Sequence, residues 1–529
     1  MGCCPSARRL FASNLCMLET DVVVIGSGIG GLSCAALLAG YGFEVVVCES
    51  HSIPGGAAHG FERQGYRFDS GPSLYSGMSY SPSPNPLKQV LDAIGESVEW
   101  VQYDTWGCCL PEGNFFTKVG AAQFCEVLAQ FRGPAAVEEW RNLQRVMEPL
   151  KDAAIALPTA AIRLDWAVAL TVSPFGRSLL HYAPTIAKLT GPFSRIVDEV
   201  IQDPFICNWL DLLCFLLSGL PASGTSAAEV AFMFADWYRP NVALDYPMGG
   251  SAALVEALIR GLQKHKGTLL LNAHVADILM ERRRAVGVRL RDGKEIRARR
   301  AVVSAASVWD TLKLLPSGAL SQRDRTARAN TPMCDSFMHL HLGIDGQNLP
   351  PDLACHYIVV NDWTQGVTAP QNVVLISIPS VLDASLAPSG KHAIHVYTPG
   401  NEPYERWQGM DRRSEAYAEL KRQRAEVMWQ ALERVIPDVR SRAEVALVGT
   451  PLTHERYLRR YKGSYGPAIW AGEGVFPGAR SPVRGLFCCG DSTFPGIGLP
   501  AVAASGMIAA NTLAPLAEHR AMLSRIGLS

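Results

Sequence analysis

Near its start the chain carries Gly26-Ser27-Gly28-Ile29-Gly30-Gly31, a run with the Gly-x-Gly-x-x-Gly spacing that brings bare backbone against a diphosphate. Gly26 permits the tight turn, Gly28 lets phosphates approach the main chain, and Gly31 lets a following helix pack closely on its sheet; Gly30 lies inside the same loop. Glu49, eighteen positions after Gly31, is placed to accept hydrogen bonds from ribose hydroxyls. Pro54-Gly55-Gly56-Ala57 then offers a second stretch of glycine backbone to the diphosphate or to the ring beyond it. Far along the chain, Gly490-Asp491 sets a carboxylate after an apolar run and ahead of Phe494-Pro495-Gly496-Ile497-Gly498. That carboxylate suits a ribityl chain or the flank of the diphosphate, and a helix starting near Leu499 would aim its amino terminus at a flavin ring. Binding of NAD needs only the first motif, whereas two remote motifs closing on one ligand mark FAD.

These residues need a particular frame. Asp21 to Ile25 is a β-branched apolar run, Gly31 to Ala39 reads as a helix, and Glu44 to Cys48 as a second buried strand, which together make a βαβ unit with parallel strands. The proline-rich stretch Ser81 to Pro86 is a loop, followed by an amphipathic helix over Leu87 to Ile94. From Cys108 to Leu244 the pattern reads as mainly helical. Short strands return at Thr268 to Leu271, Val275 to Met280 and Val286 to Arg291; Asp292-Gly293 turns the last into Lys294 to Arg297, and Ala301 to Ser304 is a further buried strand. Phe337 to Leu342 and Val373 to Ile378 read as strands of another sheet, Glu415 to Val435 as a long helix, Gly485 to Cys489 as a last core strand and Leu499 to Leu513 as the terminal helix. The expected fold is α/β: a Rossmann-like FAD-binding domain of the glutathione-reductase type, interleaved with a mixed α+β substrate domain. Its expected parts are 21–107, 245–335 and 481–515 for the cofactor and 108–244 and 336–480 for the substrate. Residues 1–20 form a targeting or disordered segment and 516–529 a tail.

Composition removes several classes. Lys plus Arg and Asp plus Glu both number 49, so no basic excess is present to neutralise nucleic-acid phosphates. The fourteen cysteines lack Cys-x-x-Cys spacing and read as reduced, mostly buried side chains. The longest uncharged apolar stretch, Leu212 to Ala228, is broken by Gly219, Pro221 and Gly224, which rules against a spanning helix. Met1 to Thr20 holds Arg8 and Arg9 with no acid before Glu19, as in a transit peptide, while Gly2-Cys3-Cys4 also fits acylation. The arginine runs Arg282 to Arg284 and Arg297 to Arg300 read as a solvated face.

In Asp21 to Ser76, Pro204 to Leu258, Val303 to Pro316 and Leu486 to Leu513 the chain resembles the carotenoid isomerase (prolycopene isomerase) branch of the phytoene desaturase and amine oxidase superfamily. The resemblance is densest over Asn208 to Pro221 and Asp491 to Gly496. It implies FAD, a carotenoid substrate, a plastid or cyanobacterial thylakoid setting and peripheral contact with a membrane. Residue by residue, it makes Gly26, Gly28 and Gly31 the diphosphate glycines, Glu49 the ribose acid, Val275 the position near adenine and Asp491 the acid of the flavin domain. The expected activity is a cis–trans isomerisation with reduced flavin and no net oxidation. The same residues would serve a carotenoid hydratase, desaturase or saturase, and a non-catalytic carotenoid binder is the alternative from another class.

Polar groups for the chemistry are few. His339 and His341 lie two apart on an expected strand and so face one side. Glu402 and His454 are further candidates for the same cavity, Asp236-Trp237-Tyr238 a candidate wall, and no third ligand at suitable spacing supports a metal site.

Overall fold

Two seven-stranded sheets carry the chain, which crosses repeatedly between them. The computed structural model describes residues 18–528, so the transit-peptide and acylation readings of the amino terminus lie outside the described residues. The first sheet runs Thr268–Leu270, Val45–Cys48, Leu18–Ile25, Glu295–Ser304, Arg284–Leu290 and Val275–Glu281, with Leu486–Cys488 also paired to Glu295–Ser304. Val22 to Val24 and Ala301 to Val303 are fully buried, as expected of parallel strands covered on both faces. The helix Ile29–Gly40 is apolar around its whole circumference because the sheet lies on one side and the terminal helix Leu499–Leu513 on another.

The two short strands expected at Lys294 to Arg297 and Ala301 to Ser304 are one strand, Glu295–Ser304. Its first part pairs antiparallel with Arg284–Leu290 and its last part runs parallel to both Val22–Ile25 and Leu486–Cys488. A register shift between Thr20 and Val22 absorbs the arginines, and Arg299 forms ion pairs with Asp21, at 3.0 Å, and Glu44, at 2.5 Å.

The second sheet runs Ala443–Gly449, Ser336–Asp345, Lys391–Glu402, Val373–Ser377, His356–Val360, Thr105–Leu110 and Gly113–Lys118. Its last two strands correct the helical reading from Cys108 onward. Five of the six residues of Thr105–Leu110 are buried, so no alternation betrays a strand; it pairs along its whole length with Gly113–Lys118 in a hairpin turned at Pro111-Glu112, and on its other edge runs parallel to Tyr357 to Val359, far away in sequence. Helices dominate from Ala121 to Trp237. Among them Pro204–Ser218 starts on Asp203, whose carboxylate accepts from the N–H groups of Phe205 and Ile206, has Pro204 in its first turn and stops at left-handed Gly219. Trp209 stacks on Phe124 at 4.8 Å and anchors that helix in an aromatic core with Trp106 and Phe205. Glu415–Glu433 packs on the second sheet through Tyr417, Met428 and Leu432.

The close fit of the first and last helices gives a test. A Cβ on Gly506 would stand 2.2 Å from the carbonyl oxygen of Gly30, so backbone must move to admit any side chain. Gly506→Val is expected to destabilise the protein by more than about 3 kcal/mol, measured by denaturant unfolding.

Candidate functional site

A cavity of about 1180 Å³ runs between the two sheets. Pockets for one drug-sized ligand reach only about 1,000 Å³, so this one has room for a cofactor and a substrate together. Its first wall is the glycine-rich turn. Gly26, at φ 92°, turns the chain out of the strand, and its N–H donates to Cys48 O at 2.8 Å. Gly28 precedes the helix Ile29–Gly40, which has no side-chain cap, so its first N–H groups are left for a ligand. A Cβ on Gly28 would meet nothing within 4 Å, whereas one on Gly31 would stand 2.3 Å from Gly26 O. The two glycines therefore do different work: Gly28 leaves open space before the free helix N–H groups, and Gly31 keeps the turn against the helix. Gly55 and Gly56 both have positive φ, and Gly55 bridges to Gly28, so the second glycine stretch closes over the first.

Glu49 is buried beside this turn. Its Oε2 accepts from Ser27 N at 2.9 Å and Ser27 Oγ at 2.6 Å, and its Oε1 from His51 N at 2.8 Å. A carboxylate has about four acceptor sites, which leaves capacity for a ribose hydroxyl. Val275 lines the cavity on the same side. At the other end stand Gly490, Asp491 and Gly498; Gly498 precedes Leu499–Leu513, a second helix whose start carries no side-chain cap. Two uncapped amino termini and a paired run of glycines fit a dinucleotide with a negative diphosphate. Asp491 is ion-paired to Arg460 and accepts from Ser492 Oγ at 3.1 Å. Arg460 carries no motif signal, and the sequence reading missed it.

Opposite the glycines lies a wall of imidazoles. His339 and His454 line the cavity, as do His59 and Tyr397. His341 sits behind them: its Nε2 contacts Asp69 O at 3.1 Å, and its ring lies parallel to His395 at 4.3 Å. His339 Nδ1 is 2.9 Å from His395 Nε2. His59 Nδ1 lies 2.8 Å from Gly56 O and His454 Nδ1 3.1 Å from Gly463 O, so each ring donates to a carbonyl through Nδ1 and keeps a lone pair on Nε2. Burial holds all five imidazoles below their ordinary value of 6.5, with His341 at about 4 and His454 at about 3. The wall is therefore neutral.

Glu402 does not join the cavity. It is fully buried, accepts from Trp407 Nε1 at 2.8 Å and is ion-paired with Arg424 of the long helix, an arrangement that holds the second sheet to that helix. Asp236 and Trp237 do line the cavity, while Tyr238 packs away against Phe234 and Trp140. His59 and His395 were missed because no local spacing marks them: the strap after Gly56 brings one to the wall, and strand pairing with Ser336–Asp345 brings the other. Among the described residues no group of three or more His, Cys, Asp or Glu is arranged to hold a metal ion.

Residues 29–514 match the family described as flavin containing amine oxidoreductase. A chloroplastic prolycopene isomerase of Daucus carota is 33% identical over 94% of this chain and 80% of its own length. A neurosporene-forming phytoene desaturase of Rhodobacter capsulatus is 25% identical over 93% of each chain. In fold, the crystal structure of an oxidoreductase from Methanosarcina mazei superposes with a TM-score of 0.60 at 19% identity, covering 93% of this chain and 99% of that one.

The open space at Gly28 separates cofactor loss from unfolding. Gly28→Val is expected to purify without yellow colour yet to melt at the temperature of deflavinated wild-type protein, as read by absorbance and calorimetry. His341 supplies a pH test. Its pKa is lowered in the folded state, so the stability that it confers is complete above 6.5 and is lost as pH falls towards about 4, because the unfolded chain takes up the proton first. His341→Leu is expected to reduce the acid-side slope of unfolding free energy by up to about 1.4 kcal/mol per pH unit, measured by denaturant melts across that window.

Proposed function

Because the chain belongs to the flavin containing amine oxidoreductase family, whose cofactor motifs it folds into one cradle, we propose that this FAD-dependent enzyme is a carotenoid cis–trans isomerase. The observation that carries the proposal is the apolar character of the cavity beyond the cradle. The helices Pro204–Ser218 and Ala227–Trp237 present Leu213, Leu216, Leu217, Phe232 and Met233 to it, and the second sheet adds Phe337 and Leu375. Such a lining suits a long hydrocarbon, and the carboxylate that these two helices bring to the cavity, Asp236, is already ion-paired with Arg239 at 3.2 Å and accepts from the Tyr80 hydroxyl at 3.0 Å. The similarity to prolycopene isomerases over most of the chain supports the same substrate class.

Rotation about a conjugated double bond requires its bond order to fall. Reduced flavin, when bound, supplies electron density to such a polyene and recovers it, with no net oxidation. The chain's own residues bind, orient and keep the polyene dry. The leucine face excludes water, and the imidazole wall stays uncharged, so these rings set no fixed charge beside a polarised polyene. Within that wall His454 is the candidate for proton exchange, since Gly463 O fixes its tautomer and leaves Nε2 free of a protein partner. His339 lines the same wall and is buttressed by His395.

The names of the plant relatives support a plastid setting for this chain as well. No helix among the described residues is long and apolar enough to cross a membrane. Contact with a bilayer surface is supported by Trp166, 79% exposed, and Leu180, 77% exposed, two large apolar side chains offered to solvent in one short segment. A desaturase is the second reading, favoured by the similarity to phytoene desaturases.

Product mass decides between them. Incubation of the flavin-loaded protein with a poly-cis carotenoid under reducing conditions is expected to give a product of changed chromatographic retention and unchanged mass. A product lighter by hydrogen would establish the desaturase, and one heavier by water a hydratase.

A further inference from the structure

The segment Pro451 to Tyr461 faces the glycine-rich turn from the far side of the cavity and is pinned at both ends of the dinucleotide cradle. At one end the Tyr457 ring meets His51 edge-on, 5.5 Å between centroids, and His51 N donates to the ribose acid Glu49. At the other, Arg460 is ion-paired with Asp491 and donates to Ser464 O at 2.9 Å and Tyr465 O at 2.6 Å. A chain anchored beside the ribose acid and beside the flavin-end acid has to cross what lies between them, the diphosphate.

Arg459 lies within this crossing, and Arg456 flanks it just before Tyr457, with its guanidinium 5.5 Å from the centroid of the Tyr457 ring. Both line the cavity, and neither has a carboxylate partner among the described residues. Arg459 ends the helix Pro451–Leu458 in the left-handed region, at φ 54°, where a branched or bulky residue is strained. Burial, Arg291 and Arg459 together hold His274, on the adenosine side of the cavity, below the ordinary imidazole value. The opposite wall lacks cations: from Ile25 to His59 no lysine or arginine lines the cavity, and the one charged side chain there is Glu49, which is negative. Backbone N–H groups and a helix dipole meet the diphosphate from that side, but no full positive charge does.

We propose that Arg456 and Arg459 form a cationic strap that clamps the diphosphate of FAD from the substrate side of the cavity. The cofactor is then held from two walls, by glycine backbone on one and by guanidinium groups on the other, and its retention depends on salt. The inference rests on the flavin assignment and is independent of which polyene reaction follows.

The test uses full-length protein stripped of flavin and titrated with FAD, with quenching of flavin fluorescence as the readout. Arg456→Gln and Arg459→Gln are each expected to raise the Kd on the order of tenfold, as for loss of one charged hydrogen bond, and the double variant more. Arg459→Lys should recover part of the loss. Raising the salt from about 0.05 M to about 0.5 M should weaken FAD binding to wild-type protein and leave the double variant nearly unchanged. Riboflavin, which has no phosphate, should bind wild type and double variant alike, and equal melting temperatures of the apoproteins exclude a folding defect. A double variant that binds FAD within twofold of wild type, with the same salt dependence, overturns the strap alone. Wild-type protein that takes up no FAD at all overturns the flavin assignment and the strap with it.

Discussion

A Cβ on Gly30 would stand 3.1 Å from the Cα of Gly490 and 2.9 Å from the carbonyl oxygen of Val502. The phosphate loop, the end of the last core strand and the last helix therefore touch through backbone alone, with no room for a side chain between them. Much follows from that constraint. It brings Asp491 to the same cavity as Glu49, and it sets the free amino termini of Ile29–Gly40 and Leu499–Leu513 on one ligand space. It also explains why nearly every residue of the first helix is buried and only Ser33 in it is polar, since the helix is enclosed by the terminal helix and by the helix Ser251–Lys264 as well as by its own sheet.

The cavity so formed is divided by charge. At the cofactor end the ionised groups are matched to one another or to ligand positions: Glu49 by Ser27 and His51, Asp491 by Arg460. Along the substrate wall stand imidazoles that burial keeps neutral, with Tyr397 beside them, among leucine, phenylalanine and methionine side chains; the carboxylate there, Asp236, is paired with Arg239. An isolated charge in such a wall would be far from water and poorly screened, so neutrality is the condition for placing an apolar chain beside polar rings. The carboxylate of Glu402 shows the alternative outcome. Once buried behind the second sheet it needed Arg424 and Trp407, and it serves packing rather than the cavity.

Legibility in sequence follows the range of the interactions. The glycine loop, Glu49 and the glycine pair at Gly55 declare themselves because turn, helix start and strand end are set by residues within a few positions of one another. Asp491 was readable for the same reason, through the glycines around it. Thr105–Leu110 was not: its apolar, buried residues suit a helix or a strand equally, and the strand is held by the hairpin to Gly113–Lys118 on one edge and by Tyr357 to Val359 on the other. Arg460 was hidden among other arginines, and nothing local distinguishes the one that meets Asp491 from the solvated ones. Glu402 looked available for chemistry because the sequence does not reveal that Arg424 lies across from it.

The imidazole wall is set by strand register. His339 sits opposite Tyr397 and His341 opposite His395, so Ser336–Asp345 and Lys391–Glu402 put all four rings on one face. Because side chains alternate along a strand, a slip of one residue would turn the rings of one strand to the other face and leave apolar neighbours such as Leu340 and Val396 in their place. The cofactor wall is less exposed to such a slip, because its glycine turns present backbone rather than side chains. The cradle can therefore be kept while what faces it changes, so the fold alone does not fix the chemistry, which lies in the residues of the second sheet and of the helices that line the cavity.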